Sequence, residues 1–267
     1  MILDSELHHR YGPLAIVAGA SEGIGRAFAH ALAEKGLDLL LIARRAEPLE
    51  AEAALLRRRH RVRVDTLPLD LGAPTVSARV EEALGGREVG LLVYNACYSA
   101  IGEFLDVPLE QKLQSVAVNC HGVLALTSLV APRLAARGRG GILLMSSLAG
   151  FQGAAMVGTY AATKAFDTVL GESLYDELRP HGVDVLVCAA GATSTPGFES
   201  QTPASKRASA MPMRPEAVAE AALAHLGDGP LFIPGAVNRF AALLFHLVGR
   251  RRASVLMSQS TRALYRG

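Results

Sequence analysis

Short apolar runs alternate with longer stretches of helical period along nearly the whole chain. The runs at 14–18, 37–42, 62–67, 89–94, 142–145, 183–188 and 231–233 are rich in Val, Ile, Leu or Ala and bounded by Gly, Pro or charged residues, which predicts seven strands. Between them, 23–35, 48–59, 75–84, 109–137, 159–178 and 215–226 carry helical spacing. Strands that are apolar throughout, with helices between, imply an α/β architecture: a parallel sheet hidden by helices on both faces. No repeat or linker interrupts the series, so residues 1–267 are expected as a single domain. One segment breaks the rhythm. Residues 191–213 are rich in Ser, Thr, Ala and Pro without a period, and loops of that length are usually functional. Their position after the sixth strand places them at the carboxyl edge of the sheet, where open α/β folds bind ligands.

The first strand runs directly into Ala18-Gly19-Ala20-Ser21-Glu22-Gly23-Ile24-Gly25 and then an Ala-rich helical stretch. Glycines allow a tight turn and close approach of backbone N–H groups to a pyrophosphate, and a helix N-terminus adds partial positive charge. The spacing is G-x-x-x-G-x-G, which a ligand-free strand-to-helix turn can also adopt. At the end of the second strand, Leu41-Ile42-Ala43 is followed by Arg44 and Arg45, with no carboxylate before Glu47. A carboxylate here would accept from a ribose 2′-OH, whereas guanidinium groups hold a 2′-phosphate. NADP(H) is therefore the expected cofactor, with NAD(H) as the alternative. A chain with 23 Arg and 4 Lys could equally place two solvated arginines in this loop.

Tyr160 and Lys164 stand four residues apart, one turn along the same helix face. A phenol ionises near pH 10 and is a poor acid–base catalyst at neutrality, but a neighbouring ammonium lowers that value. Ser147, at the end of the fifth strand, could hold a carbonyl oxygen beside the phenol. The same pair also suits an ordinary helix face with a half-buried Tyr and a snorkelling Lys.

Taken in order, the Gly19/Gly23/Gly25 turn, Asp70, Asn95-Ala96, Asn119, Ser147, Tyr160, Lys164 and 191–195 resemble the short-chain dehydrogenase/reductase family over nearly the whole chain. Arg10-Tyr11-Gly12-Pro13-Leu14 and Leu41-Ile42-Ala43-Arg44-Arg45 look more specifically like the branch with hydroxysteroid dehydrogenases and 3-oxoacyl reductases. The resemblance implies a doubly wound (Rossmann) fold with a seven-stranded parallel sheet. It implies that Tyr160 exchanges the proton at the carbonyl oxygen, Lys164 lowers its pKa and binds the nicotinamide ribose, and Ser147 polarises the carbonyl. Asn119 would hold a water linking Lys164 to solvent. Around the cofactor it places the turn residues Gly19, Ser21, Glu22, Gly23, Ile24 and Gly25, with Arg44 and Arg45 at the 2′-position. Asp70 and Leu71 would lie against the adenine, Asn95 and Ala96 near its ribose, and Thr193 and Thr195 at the carboxamide and phosphates. A homodimer or homotetramer built on 109–137 and 159–178 is also implied.

Three motifs depart from the family pattern: Ala18 replaces a Thr, Tyr94 and Cys97 alter N-N-A-G, and Ala190 replaces a Pro. The first two leave the hydrogen bonding between the first and fourth strands open. The rival class is a non-catalytic NADP(H) sensor or scaffold, which loss of Tyr160 or Lys164 would have favoured.

Composition narrows the field further. Half the chain is apolar and 19% is charged, which excludes a disordered protein. Cys97, Cys120 and Cys188 form no CxxC pair and no histidine pair has ligand spacing, so no metal site is expected and a reducing cytoplasm fits. No stretch is expected to reach the roughly 20 apolar residues of a membrane span. The net charge of +2 conceals a division: Arg239, Arg250, Arg251, Arg252, Arg262 and Arg266 follow the last acid, Asp228, leaving residues 1–228 at −4. Nothing between these arginines suggests a nucleic-acid module. Residues 235–267 read as a basic, apolar appendix whose run 240–248 could cover a lipophilic pocket, dock on another subunit or lie on an anionic membrane. With Phe151, Met156, Met211 and Met213 near the active-site edge, a lipophilic fatty-acyl or steroid-like carbonyl or alcohol is the expected substrate.

Overall fold

In the computed structural model of the protein, the described residues are 2–266, with side chains from Leu7 onward. The strands are β1 (Leu14–Ala18), β2 (Asp38–Ala43), β3 (Val64–Pro68), β4 (Val89–Tyr94), β5 (Gly140–Ser147), β6 (Val183–Ala190) and β7 (Leu231–Phe232). They form one sheet in the order β3-β2-β1-β4-β5-β6-β7, parallel throughout. The helices in chain order are α1 (Ile2–Tyr11), α2 (Gly23–Glu34), α3 (Ala46–Arg59), α4 (Val76–Leu84), α5 (Leu109–Val116), α6 (Gly122–Arg137) and α7 (Gly158–Leu178). After β6 follow α8 (Pro196–Gln201), α9 (Ala204–Arg207), α10 (Pro215–Ala224), α11 (Ala236–Leu247) and α12 (Arg250–Tyr265).

Alternation along β1 divides the core in two. Ala15 and Val17 point to one face, with Phe28 and Leu32 of α2 and Val218 and Ala222 of α10; Leu14, Ile16 and Ala18 point to the other, with Val80 of α4 and Leu126 and Val130 of α6. This is the doubly wound arrangement expected. The reversal of strand order falls between β1 and β4, so the crevice at their carboxyl ends is the natural ligand site.

β1 and β4 have the expected bounds, while β5 and β6 run further, pairing as far as Ser147↔Ala190. Their ends are Gly, Ser and Ala, residues with weak strand preference that only the pairing makes extended. The extra length carries Ser147 to the sheet edge.

The stretch 109–137 is helical throughout, but a π-helical turn, Ala117–His121, separates α5 from α6, and Gly122 N donates to Ala117 O across it. This stretch also corrects the expectation that nothing reaches span length, because 109–137 has the length and hydropathy to cross a membrane. Val123, Leu126, Val130 and Leu134 are instead buried in the protein core. Residues 191–213, expected without structure, hold α8, α9 and a 3₁₀ turn, Ala208–Ala210.

Two helices escape the periodicity. α1 is mostly polar and is anchored at its end, where Tyr11 Oη donates to Asp184 Oδ2 (2.6 Å) and Leu226 O (3.1 Å). α12 is held on the body by Ser258 Oγ accepting from Ala155 N (3.0 Å), Ser254 Oγ donating to Gly153 O (2.8 Å) and Thr261 Oγ1 donating to Ala155 O (2.9 Å). Arg262 and Arg266 pair with Glu103. The C-terminal half of the expected appendix is therefore a wall of the molecule. α11 keeps Val237, Phe240, Leu244 and Leu247 exposed.

Candidate active site

The glycine turn is fixed by steric necessity. Gly19 has φ +83°, and a Cβ there would lie 2.7 Å from Ala96 Cα; a Cβ on Gly25 would lie 2.0 Å from Gly19 O. The first bond of the α2 ladder is Arg26 N to Glu22 O (3.2 Å), so the N–H groups of Gly23, Ile24 and Gly25 precede it, with Gly23 and Ile24 at the cavity edge. The joint to β4 is intact despite Ala18 and Cys97: Asn95 N donates to Ala18 O (3.0 Å) and Asn95 Nδ2 to Gly19 O (3.1 Å). Tyr94 uses its phenol to donate to Val118 O (2.6 Å), tying β4 to the π-helical turn. Cys97 is exposed in the cavity wall.

Gly19, Ser21, Glu22, Gly23, Ile24, Arg44, Arg45, Asp70, Leu71, Asn95, Ala96, Thr193 and Thr195 all line one cavity of about 1330 Å³. Gly25 is buried directly behind it. Arg44 lies 6.0 Å from the Tyr98 ring centroid, and Arg45 is ion-paired with Glu22. Asp70 Oδ1 accepts from Gly72 N (2.9 Å). Thr195 caps α8, accepting from Phe198 N (3.2 Å), and its methyl stands where a Cβ on Gly23 would come within 3.0 Å. The cradle is open backbone at the points where side chains would fill it, as a dinucleotide requires.

The reactive groups lie deeper in the same cavity. Adjacent serines at the end of β5 have opposite fates: Ser146 donates to Lys164 O (2.7 Å) behind the sheet edge, whereas Ser147 faces the cavity beside Tyr160. Burial raises the Tyr160 phenol, as does nearby Cys97, against the lowering influence of Lys164 and of a hydrogen bond with Ser147. The ammonium is thus opposed by burial, and the phenol remains protonated at neutrality. Lys164 Nζ donates to Met145 O (2.7 Å) and Asp167 Oδ2 (2.9 Å), leaving one of its three hydrogens for a ligand. Asn119 lies in the π-helical turn with no exposure. Its amide hydrogens go to Tyr98 O (3.0 Å) and Thr163 Oγ1 (2.9 Å), and its oxygen accepts from Tyr98 N (2.8 Å). Both side-chain donors are spent on protein, so the side chain positions the Tyr98 segment, and a water at Asn119 would have to donate to one of its oxygens.

A sequence model of the short chain dehydrogenase family matches residues 13–206. The chain belongs to this family. Among its curated relatives, a 7beta-hydroxysteroid dehydrogenase of Clostridium sardiniense is 32% identical over 230 residues, covering 86% of this chain and 88% of the relative. A very-long-chain 3-oxoacyl-CoA reductase of Podospora anserina is 38% identical over 179 residues, 65% of this chain and 53% of the relative. A solved 7beta-hydroxysteroid dehydrogenase superposes with a TM-score of 0.88 at 28% identity, covering 94% and 98% of the two chains. A short-chain dehydrogenase from Sphingobium yanoikuyae in complex with NADPH gives 0.77 at 32% identity, covering 90% and 94%.

As a short-chain dehydrogenase, the protein is an oxidoreductase acting on a CH–OH/C=O pair. The cavity is also lined by the segment after β5 and by α12, through Met156, Val157, Met257, Leu264 and Tyr265. The α12 residues were missed in the sequence, although Ala253, Met257, Thr261 and Leu264 form a helical stripe that periodicity could have revealed. Of the apolar candidates, Met156 lines the cavity. Phe151 closes a 3₁₀ turn outside it, Met211 is exposed at φ +45°, and Met213 packs against the core beside Asn238.

Proposed function

We propose that this chain moves a hydride between NADP(H) and the ketone or secondary alcohol of a lipophilic molecule, fatty-acyl or steroid-like. The observation that carries the reading is one cavity holding Ser147, Tyr160 and Lys164 together with the glycine turn and both arginines. The bound nicotinamide supplies or receives the hydride. Ser147 and Tyr160 hold the carbonyl oxygen from one side, and the protonated phenol gives its hydrogen to that oxygen as negative charge develops there. Lys164 has its remaining hydrogen for a ribose hydroxyl, while Met145 O and Asp167 fix the ammonium. Asn119 acts by fixing the backbone of Tyr98 beside Arg44. Thr193 and Thr195 would face the carboxamide and phosphates.

Arg44 and Arg45 support NADP(H). The Arg45–Glu22 pair is exposed, a kind of contact that contributes little and is readily exchanged for a 2′-phosphate. Met156, Val157, Met257 and Leu264 on the cavity wall and the names of the relatives support a lipophilic substrate. Leu109, Leu113, Val116 and Val169 are exposed on α5 and α7, which supports a homo-oligomer built on those helices.

Parallel titration with NADPH and NADH, followed by nicotinamide fluorescence, tests the cofactor. Tighter NADPH binding is expected, and its advantage should shrink in Arg44→Ala/Arg45→Ala. Preference for NADH would overturn the role of the arginines, and binding of neither would overturn the proposal itself.

A further inference from the structure

Asp167 follows Lys164 by three residues on α7. Its side chain is 2% exposed and that of Lys164 4%, with Nζ to Oδ2 at 2.9 Å. The other carboxylate oxygen, Oδ1, is buried without a hydrogen-bond partner among the described residues. A half-satisfied carboxylate in such a place costs free energy, and an apolar residue would pack there more cheaply. Stability does not account for it.

The surrounding groups define what it can do. Tyr94 on β4 and Cys120 in the π-helical turn feel the Asp167 charge, and the Cys120 thiol is pushed up to about 11 by burial and then by that carboxylate. Tyr160 on the same helix and Cys97 after β4 act on Lys164, and Tyr265 of α12 acts on Tyr160. Lys164 is the sole cation in this set of groups. Burial is the largest single influence on its ammonium and pulls it down, but the charge and hydrogen bond of Asp167, joined by Cys97 and Tyr160, together hold Lys164 protonated, while Lys164 in turn opposes the rise that burial imposes on the Asp167 carboxyl. The same negative charge offsets part of the positive field that Lys164 would otherwise exert on the phenol.

We propose that Asp167 is a positioning residue that backs Lys164 with a fixed negative charge, so that the Tyr160–Lys164 couple keeps its protons at neutral pH. At neutral pH such a couple stands in the form that gives a proton to a carbonyl oxygen and only rarely in the form that takes one from an alcohol. Its consequence for turnover rests on the ketone/alcohol reading of the site. The sign follows from charge: a carboxylate favours the protonated form of both neighbours, so with Lys164 still charged its removal lowers the pH at which the Tyr160 phenol ionises.

The test uses full-length protein saturated with NADP⁺. Ultraviolet phenolate absorbance is titrated against pH for the wild type, Asp167→Asn, Asp167→Ser and Asp167→Glu, with Tyr160→Phe as the subtraction blank. Asn and Ser should each move the midpoint down by about one unit or more, roughly tenfold in the ionised fraction at a fixed pH below it. Glu should restore the wild-type midpoint. The pH profile of kcat/KM for oxidation of a 7β-hydroxysteroid should shift in parallel. An unmoved midpoint in folded Asn or Ser protein overturns the proposal, as does failure of both to fold, which would make Asp167 purely structural. Absence of steroid oxidation by the wild type would count against the substrate reading alone, because the phenolate titration needs no substrate.

Discussion

At the floor of the cavity, β1, α2 and β4 meet through backbone: Gly19 against Ala96, Gly25 against Gly19 O, and Asn95 bonded to both Ala18 and Gly19. At the rim, α12 meets the segment after β5 through hydroxyls of Ser254, Ser258 and Thr261 and through exposed arginines on Glu103. The floor tolerates no added atom; the rim depends on bonds worth little individually. Shape that must be the same for every substrate is built from close approach, and shape that distinguishes substrates is built from replaceable side chains.

Three substitutions sharpen this contrast. Tyr160→Phe, between floor and rim, should lower turnover about 10²- to 10⁴-fold while leaving NADPH binding intact, because only the acid is lost. Undiminished turnover would remove Tyr160 from its role. Gly25→Ala forces a methyl to 2.0 Å from Gly19 O, and overpacking of this kind costs about 1–3 kcal/mol. Urea unfolding should register that loss, and NADPH affinity should fall with it; an unchanged affinity would mean that the turn is not the dinucleotide cradle. Thr261→Val removes the bond to Ala155 O, worth about 1 kcal/mol, and should raise KM for a bulky ketone while leaving NADPH affinity unmoved. A loss of NADPH affinity here would break the division between floor and rim.

The floor was legible in the sequence because its constraints are local. Strands apolar on both sides have few alternatives, and glycines at fixed spacing state where no side chain fits; β1 and β4 accordingly end at the expected residues. Of the two adjacent serines, the one that the family resemblance picks out, Ser147, is the one bonded to Tyr160, whereas Ser146 Oγ is committed to Lys164 O. What was hidden depends on tertiary contact. α1 has little apolar character and rests on Tyr11 reaching Asp184, 173 residues away. Met211 and Met213 leave the cavity because the chain turns through φ +45° at Met211, a conformation that bulky residues rarely adopt. Asp167 sits where an apolar residue would suit α7, and only the buried Lys164 beside it makes the acid intelligible.

Thr195 belongs to both regions at once. It begins α8 and the rim, while its methyl rests against Gly23 on the floor. Order in 191–213 and occupancy of the phosphate turn are therefore linked, and linkage is reciprocal: whatever affinity a dinucleotide gains from the settled segment, the segment gains in settling.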